Sequence, residues 1–222
     1  MMNSPRLKEI IKKSLNLTES VVSSVRSFSL KTEFLSQGNK DSHIELYKGY
    51  IASSNEVSAK LDAVDRKAVN SNHSLFRSLK VDEVYNQNAV ALHELYFENI
   101  SDLSSEITID TLSHMKLAKD FGTFELWQSD FLACCEASRC GWVVTVFNIF
   151  TSKYQNVMID LHSTNIPIGC IPIIVIDVWQ HAYYRDYLKE VKIYSTAMMK
   201  EFNWKIIEKR VEKVEQLKRV LR

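Results

Sequence analysis

The chain has 222 residues, 45% of them apolar and 25% charged, with five Gly, three Pro and four Cys. Those proportions suit a folded protein of one domain or two small ones; they exclude global disorder, collagen, low-complexity repeats and a disulfide scaffold. The net charge of +1 hides an uneven spread: residues 1–31 carry six Lys/Arg against two Glu, residues 205–222 carry seven against three, and the body between is −7. An acidic body with basic ends does not suit a nucleic-acid-binding core, and the ends read as solvated helical faces rather than docking surfaces.

The N-terminus, MMNSPRLKEIIKKSLNL, has charges throughout and no apolar core, so it does not read as a secretory signal. Its Ser and Lys/Arg content is transit-peptide-like, but Glu9 and Glu19 oppose that reading, so the cytoplasm is expected and the mitochondrial matrix is the second choice. The longest apolar run, residues 171–178, holds Pro172 and Asp177 and is far short of a bilayer span, so no membrane helix or membrane partner is expected. Cys134, Cys135, Cys140 and Cys170 form no C-x-x-C, and nothing requires a disulfide, which fits a reducing compartment.

Pro5 opens a helical stretch with Leu7, Ile10, Ile11, Leu15 and Leu17 at mixed 3–4 spacing. Residues 18–41 read as a polar connector anchored by Phe28, Leu30, Phe34 and Leu35. A long helix is expected over about 43–66, on the stripe Ile44, Tyr47, Ile51, Ser54, Val57, Ser58, Leu61 and Val64. Residues 70–72 break it, and a second helix runs over about 80–100, with Val81, Val84, Tyr85, Asn88, Leu92, Leu95 and Tyr96. A short polar link between two helices suggests an antiparallel hairpin. After a connector at 101–110 come helices near 110–119 and 123–139, then β-branched and aromatic runs at 142–150, 157–161 and 171–178. Helical periodicity returns at 182–201, and 204–221 is a charged amphipathic tail. The fold class is α+β: an antiparallel helical hairpin, then an α/β domain with a small sheet of about three antiparallel strands. The expected divisions are a basic N-terminal extension (1–31), the hairpin domain (32–105), the α/β domain (106–204) and a basic helical tail (205–222).

Chemistry is concentrated in the histidines. Asp177 and His181 stand four apart in VIDVWQHAYYRDY, where an apolar strand ends. A carboxylate leaving a buried strand must be neutralised or coordinated. A carboxylate–imidazole hydrogen bond and a metal both answer that need. His43 and Tyr50 share a helix face in HIELYKGY, and His93 sits mid-helix in LHELYFEN. Three imidazoles and one carboxylate suit Fe, Mn or Zn, while the lack of paired thiols disfavours a Cys-type zinc site. No Gly-rich phosphate loop, G-x-S-x-G or H-E-x-x-H is present.

DVWQHAYYRDY closely resembles DVWEHAYY, the signature of the iron/manganese superoxide dismutases. HIELYKGYIASSNEV resembles the first-ligand segment of the subgroup with LY-x-GYV, and HELYFEN resembles its second-ligand segment. GWVVTV and FNWKIIEKRV resemble the family's GW(V/A) strand and its closing NW motif. The matches are collinear from about 43 to 211. The resemblance implies one Mn or Fe ion per chain, between a helical lobe and an α/β lobe, held by His43, His93, Asp177 and His181. It implies Tyr50 as a gateway tyrosine, Trp142 and Trp179 as aromatic walls, and His162 where relatives carry a His or Gln that bonds metal-bound solvent. The implied activity is disproportionation of superoxide, in a homodimer.

NHSLF at 72–76 also looks like a second-ligand motif, but His73 follows His43 too soon for a long hairpin to run up and back, and Arg77 replaces the family's Trp. His73 is therefore expected to be a turn residue, and His114 has no expected role. Two positions depart from the family. Gln180 stands for the Glu that reaches a partner subunit's ligand histidine, and Leu46–Tyr47 stand for the common His pair. The second removes one side of the usual contact across the dimer; Gln180 and the basic ends leave open a rival reading, a non-catalytic protein on the same fold that interacts through those ends.

Overall fold

The computed structural model describes residues 22–102 and 105–220. The expected helix after Pro5, and most of the 1–31 extension, lie outside them. Among the described residues the elements run α1 (Gln37–Ala63), α2 (Leu75–Asn99), α3 (Leu112–Phe121), α4 (Phe124–Ala137), β1 (Gly141–Asn148), β2 (Lys153–Asp160), β3 (Cys170–Asp177), α5 (Gln180–Tyr187), α6 (Val191–Lys200) and α7 (Trp204–Val220). The expected α+β order holds: a helical N-terminal region, then a part that mixes helices with a three-stranded antiparallel sheet.

Both long helices begin earlier than their apolar stripes. At α1, Ser36 Oγ accepts the Asn39 N–H at 3.2 Å and its carbonyl accepts from Asn39 and Lys40. At α2, Ser74 Oγ accepts the Arg77 N–H at 3.3 Å. Serine caps satisfy N–H groups that a helix start leaves open, a contribution of about 1 kcal/mol each. His73 lies exposed in the turn just before α2, where the Asn70 side chain accepts its backbone N–H at 2.8 Å.

The contacts divide the chain into two compact units: Lys48–Gln87 with the described residues up to Val25, and Arg26–Tyr47 with Asn88 onward. In the smaller unit α1 and α2 meet through Tyr50 and Tyr85, with ring centroids 6.4 Å apart. Ser23 is tied there to the Asn55 side chain by two hydrogen bonds of 2.8 and 2.9 Å. In the larger unit the same helices meet through His43 and His93, and through the hydroxyl of Tyr47, which donates to Glu94 at 2.8 Å. Later residues of α1 pair with earlier residues of α2, the antiparallel sense that the sequence suggests.

The sheet lies wholly in the larger unit, ordered β2-β1-β3. The central strand β1 is buried from Gly141 to Phe147, which explains its unbroken apolar run; β2 is an edge strand and is only partly buried. Gly141 opens β1 at φ 139°, and a Cβ there would stand 2.0 Å from the Ile159 carbonyl oxygen, so only glycine fits. Helix α4 packs on β1 and β2: Trp127 is fully buried, and its indole N–H donates to Thr145 Oγ1 at 2.9 Å. From α7, Ile207, Val211 and Val214 enter the core, while Glu208 accepts the N–H groups of Leu112 and Ser113 at the start of α3.

One expected helix is two. The periodicity over 182–201 is broken between α5 and α6, where Leu188 takes φ 50° without a Gly or Pro to mark it. Tertiary contacts set this break. The Tyr183 and Tyr187 rings pack against buried Tyr194 at 5.1 and 5.7 Å, and the Tyr187 hydroxyl donates to the Phe34 carbonyl at 2.7 Å.

Candidate metal centre

The site is built from the ends of elements that the core fixes. Asp177 is the last residue of β3, paired opposite Trp142 of β1 and fully buried. Its backbone carbonyl accepts from the Tyr194 hydroxyl at 2.8 Å, and Tyr194 in turn accepts from Tyr96 at 3.0 Å. Its Oδ1 accepts the Trp179 N–H at 2.8 Å. That bond turns Oδ2 toward the histidines: His43 Nε2 and His181 Nε2 each lie 3.1 Å from it, and His93 Nε2 lies 3.9 Å away. His181 stands in the first turn of α5, the short helix that starts three residues after β3 ends.

Four ligand atoms, one each from His43, His93, Asp177 and His181, all lie within 4.8 Å of one another. His43 and His93 are buried, and the His181 side chain is 27% exposed. The donor set fits a cation. His93 Nδ1 is 2.6 Å from the Ala89 carbonyl, which can only accept, so the ring proton sits on Nδ1. Burial pushes the His93 pKa down to about 3, so the ring is neutral and its Nε2 presents a lone pair toward the Asp177 carboxylate. Burial lowers His43 as well, against the pull of Asp177. Burial alone would raise the Asp177 carboxyl; His181 and His43 beside it prevail and hold it well below the usual carboxylate range. A neutral His93 with its lone pair turned inward, and the His43 and His181 rings meeting an ionised, buried carboxylate, are the arrangement a divalent or trivalent metal completes.

His162 is buried next to this set, its ring centroid 6.0 Å from that of His93. The Trp142 indole N–H donates to His162 Nδ1 at 3.0 Å. Burial brings the His162 pKa down to about 4, so the ring is neutral; with Nδ1 accepting, its proton is on Nε2 and it enters the site as an N–H donor. Trp142 stands edge-on to His93 at 4.9 Å, and Trp179 stacks near His181 at 5.8 Å and His162 at 5.3 Å. Tyr50 falls in the smaller unit, and its ring meets Tyr85 there.

Three residues around the site were given no place in it by the sequence. Phe97 lies edge-on to His43 at 5.0 Å, Tyr96 tilts against His43 at 5.4 Å, and Tyr47 lies 6.3 Å from His93. Helical spacing carried a signal for two of them: Tyr47 is one turn beyond His43, and Phe97 is one turn beyond His93. Gln180 is exposed, next to His181.

Residues 110–210 match the family described as iron/manganese superoxide dismutases, C-terminal domain. The chain is 35% identical over 185 residues to a protein of Aquifex pyrophilus named an iron superoxide dismutase; the overlap covers 82% of this chain and 86% of that protein. The like-named protein of Aquifex aeolicus strain VF5 matches with the same identity and coverage. A protein of Haloferax volcanii named a manganese superoxide dismutase is 31% identical over 120 residues, 54% of this chain and 59% of its own length. With such identity over most of its length, this chain belongs to the iron/manganese superoxide dismutase family.

Proposed function

We infer that the chain is an oxidoreductase that disproportionates superoxide to dioxygen and hydrogen peroxide. The observation that carries this reading is the convergence of His43, His93, Asp177 and His181, four ligand atoms within 4.8 Å in a largely buried pocket. These four residues would hold one Mn or Fe ion, the metals in the names of the relatives. When bound, that ion supplies the redox chemistry, taking an electron from one superoxide and passing it to a second.

The chain's own residues do the rest. Asp177 would neutralise part of the ion's charge, and the hydrogen bonds at its backbone carbonyl and Oδ1 keep Oδ2 aimed at the histidines. The Nδ1–H bond to Ala89 holds the His93 ring in the tautomer that can ligate. His162 offers its Nε2–H to solvent in the site, and Trp142 keeps it in that tautomer. Trp142 and Trp179 wall the site beside His93, His162 and His181 and would restrict the access of bulk water.

A homodimer belongs to the same reading. Gln180 is exposed beside His181, and Tyr184, one turn further along α5, is 51% exposed, so this face has side chains to offer a second copy. No helix among the described residues is long and apolar enough to cross a membrane. The four cysteines are unbridged thiols, which supports a reducing compartment such as the cytoplasm. The test is an assay of superoxide consumption by purified chain loaded with Mn or with Fe, set against the metal-free chain. A metal-dependent rate above that of the free ion is expected. A loaded chain that consumes superoxide no faster than the free ion would overturn the activity.

A further inference from the structure

The segment ahead of α1 reads in sequence as a connector. In the structure it is an anchored strap. At its C-terminal end, Thr32 Oγ1 bonds the buried Glu201 carboxylate, and the Glu33 N–H donates to the same group at 3.0 Å. Two further ties hold it to α5: the Ser36 N–H donates to Asp186 at 2.9 Å, and the Phe34 carbonyl accepts from Tyr187. At the other end, Arg26 reaches both ligand-bearing helices. Its backbone N–H donates to the Tyr47 hydroxyl at 3.2 Å, Nη1 donates to Glu94 Oε2 at 2.9 Å, and Nη2 donates to Glu98 Oε1 at 2.6 Å. Two residues on, the Phe28 ring lies 5.9 Å from Tyr47 and 5.2 Å from Phe97.

The place of this latch gives it meaning. Tyr47 is one turn after His43 on α1, and Glu94 is the residue after His93 on α2. The Tyr47 Oη–Glu94 Oε1 bond therefore joins the two helices within a turn of both ligands, and Arg26 closes the same pair from the strap side. Phe97, covered by Phe28, is itself edge-on to His43. The charges balance: Glu94 and Glu98 face Arg26 and Arg210, whose guanidinium also binds the Leu95 and Ile173 carbonyls. Without the Arg26 side chain, the Glu94 carboxylate loses its guanidinium partner, while the Tyr47 hydroxyl keeps the backbone N–H that donates to it. An ion pair half open to water adds little to stability by itself, so its use has to lie elsewhere.

We propose that Arg26 is a positioning residue for the metal site: through Tyr47 and Glu94 it fixes the spacing of α1 and α2 at His43 and His93 and cancels a carboxylate charge next to the ligands. This rests on the metal reading above and deepens it.

The test uses the full chain loaded with one metal, comparing wild type, Arg26→Ala and Arg26→Lys. Three readouts are taken: the electron paramagnetic resonance spectrum of the bound metal, the affinity for azide as a small anion, and the thermal midpoint. Arg26→Ala is expected to keep its metal, change the spectrum and weaken or strengthen azide binding by about 3-fold or more, a change well within what one neighbouring charge produces. Arg26→Lys, which keeps the charge, is expected to restore azide affinity in large part. A variant with a lower thermal midpoint but the wild-type spectrum and azide affinity would make Arg26 a fold staple only and overturn the proposal. An Arg26→Lys variant no nearer wild type than Arg26→Ala would overturn its charge component. Both spectrum and azide affinity are read on the metal-loaded chain without turnover. A failed activity assay with an altered Arg26→Ala spectrum would therefore sink the superoxide reading and leave this one standing.

Discussion

Two histidines, one in the turn just before the long helix α2 and one within it, each stand in a motif that looks like a metal-ligand segment, and their surroundings could hardly differ more. His73, in NHSLF, is exposed in the turn before the helix, held by the Asn70 side chain at its backbone N–H. His93, in LHELYF, is fully buried, with Nδ1 fixed by the Ala89 carbonyl and Nε2 facing Asp177. A ligand is made by convergence with other donors in a dry pocket, and short motifs do not report convergence. Chain separation did report it. His93 lies far enough after His43 for one helix to run out and the next to return, and His73 does not.

Substitutions can press on this contrast, and the largest effect is expected at the carboxylate on which His43, His93 and His181 converge. Asp177→Asn keeps the volume but removes the charge that draws three rings together. It should lose bound metal to background level and abolish superoxide consumption, read by elemental analysis and the activity assay on one sample. A mutant that retained a full equivalent of metal would show that the histidines alone suffice.

Next comes the brace behind the site. Arg210, its side chain 12% exposed, joins Glu98, Asn99 and two backbone carbonyls. Arg210→Ala leaves Glu98 with Arg26 as its cation and strands the carbonyls, a loss of about 2 kcal/mol by urea denaturation. The same pair predicts a pH effect. Burial would raise the Glu98 carboxyl, but Arg210 and Arg26 outweigh it and hold it below its ordinary value. A depressed carboxylate contributes stability that is present above its unfolded pKa, about 4.3, and lost as pH falls through the folded one. The acid limb of the thermal midpoint, followed from pH 6 to pH 3, should therefore be shallower in Arg210→Ala than in wild type. Parallel limbs would mean that the pair carries no linkage.

The smallest effect is expected at Gln180. If the exposed face of α5 meets a second copy, Gln180→Glu replaces a neutral acceptor by a charged one, a stronger partner for an imidazole N–H. The dimer dissociation constant should fall by about 3- to 10-fold in analytical ultracentrifugation. An unchanged constant would mean that this position faces no partner histidine.

Much of this was legible in the sequence. β1 and β3 announce themselves because they are buried apolar runs bounded by turn residues, whereas the partly exposed edge strand β2 was legible only in its later half, 157–161 against Lys153–Asp160. The Asp177–His181 pair stands out because a charge at the end of an apolar strand needs a reason. The helix starts at Gln37 and Leu75 were hidden because their caps, Ser36 and Ser74, sit in Ser- and Asn-rich stretches that look like connectors. The α5–α6 break had no Gly or Pro to signal it; it comes from tyrosines packing on Tyr194. The Arg26 latch was invisible for a related reason. Its partners Glu94 and Glu98 are 68 and 72 residues away, and no local pattern links charges at that distance.

The most direct measurement is the metal content of wild type, His73→Ala and His93→Ala, purified side by side after growth with both Mn and Fe. Wild type and His73→Ala should each carry about one ion per chain, with His73→Ala changing stability by no more than about 0.5 kcal/mol, while His93→Ala should carry almost none. Metal lost from His73→Ala and kept by His93→Ala would contradict the assignment of the site.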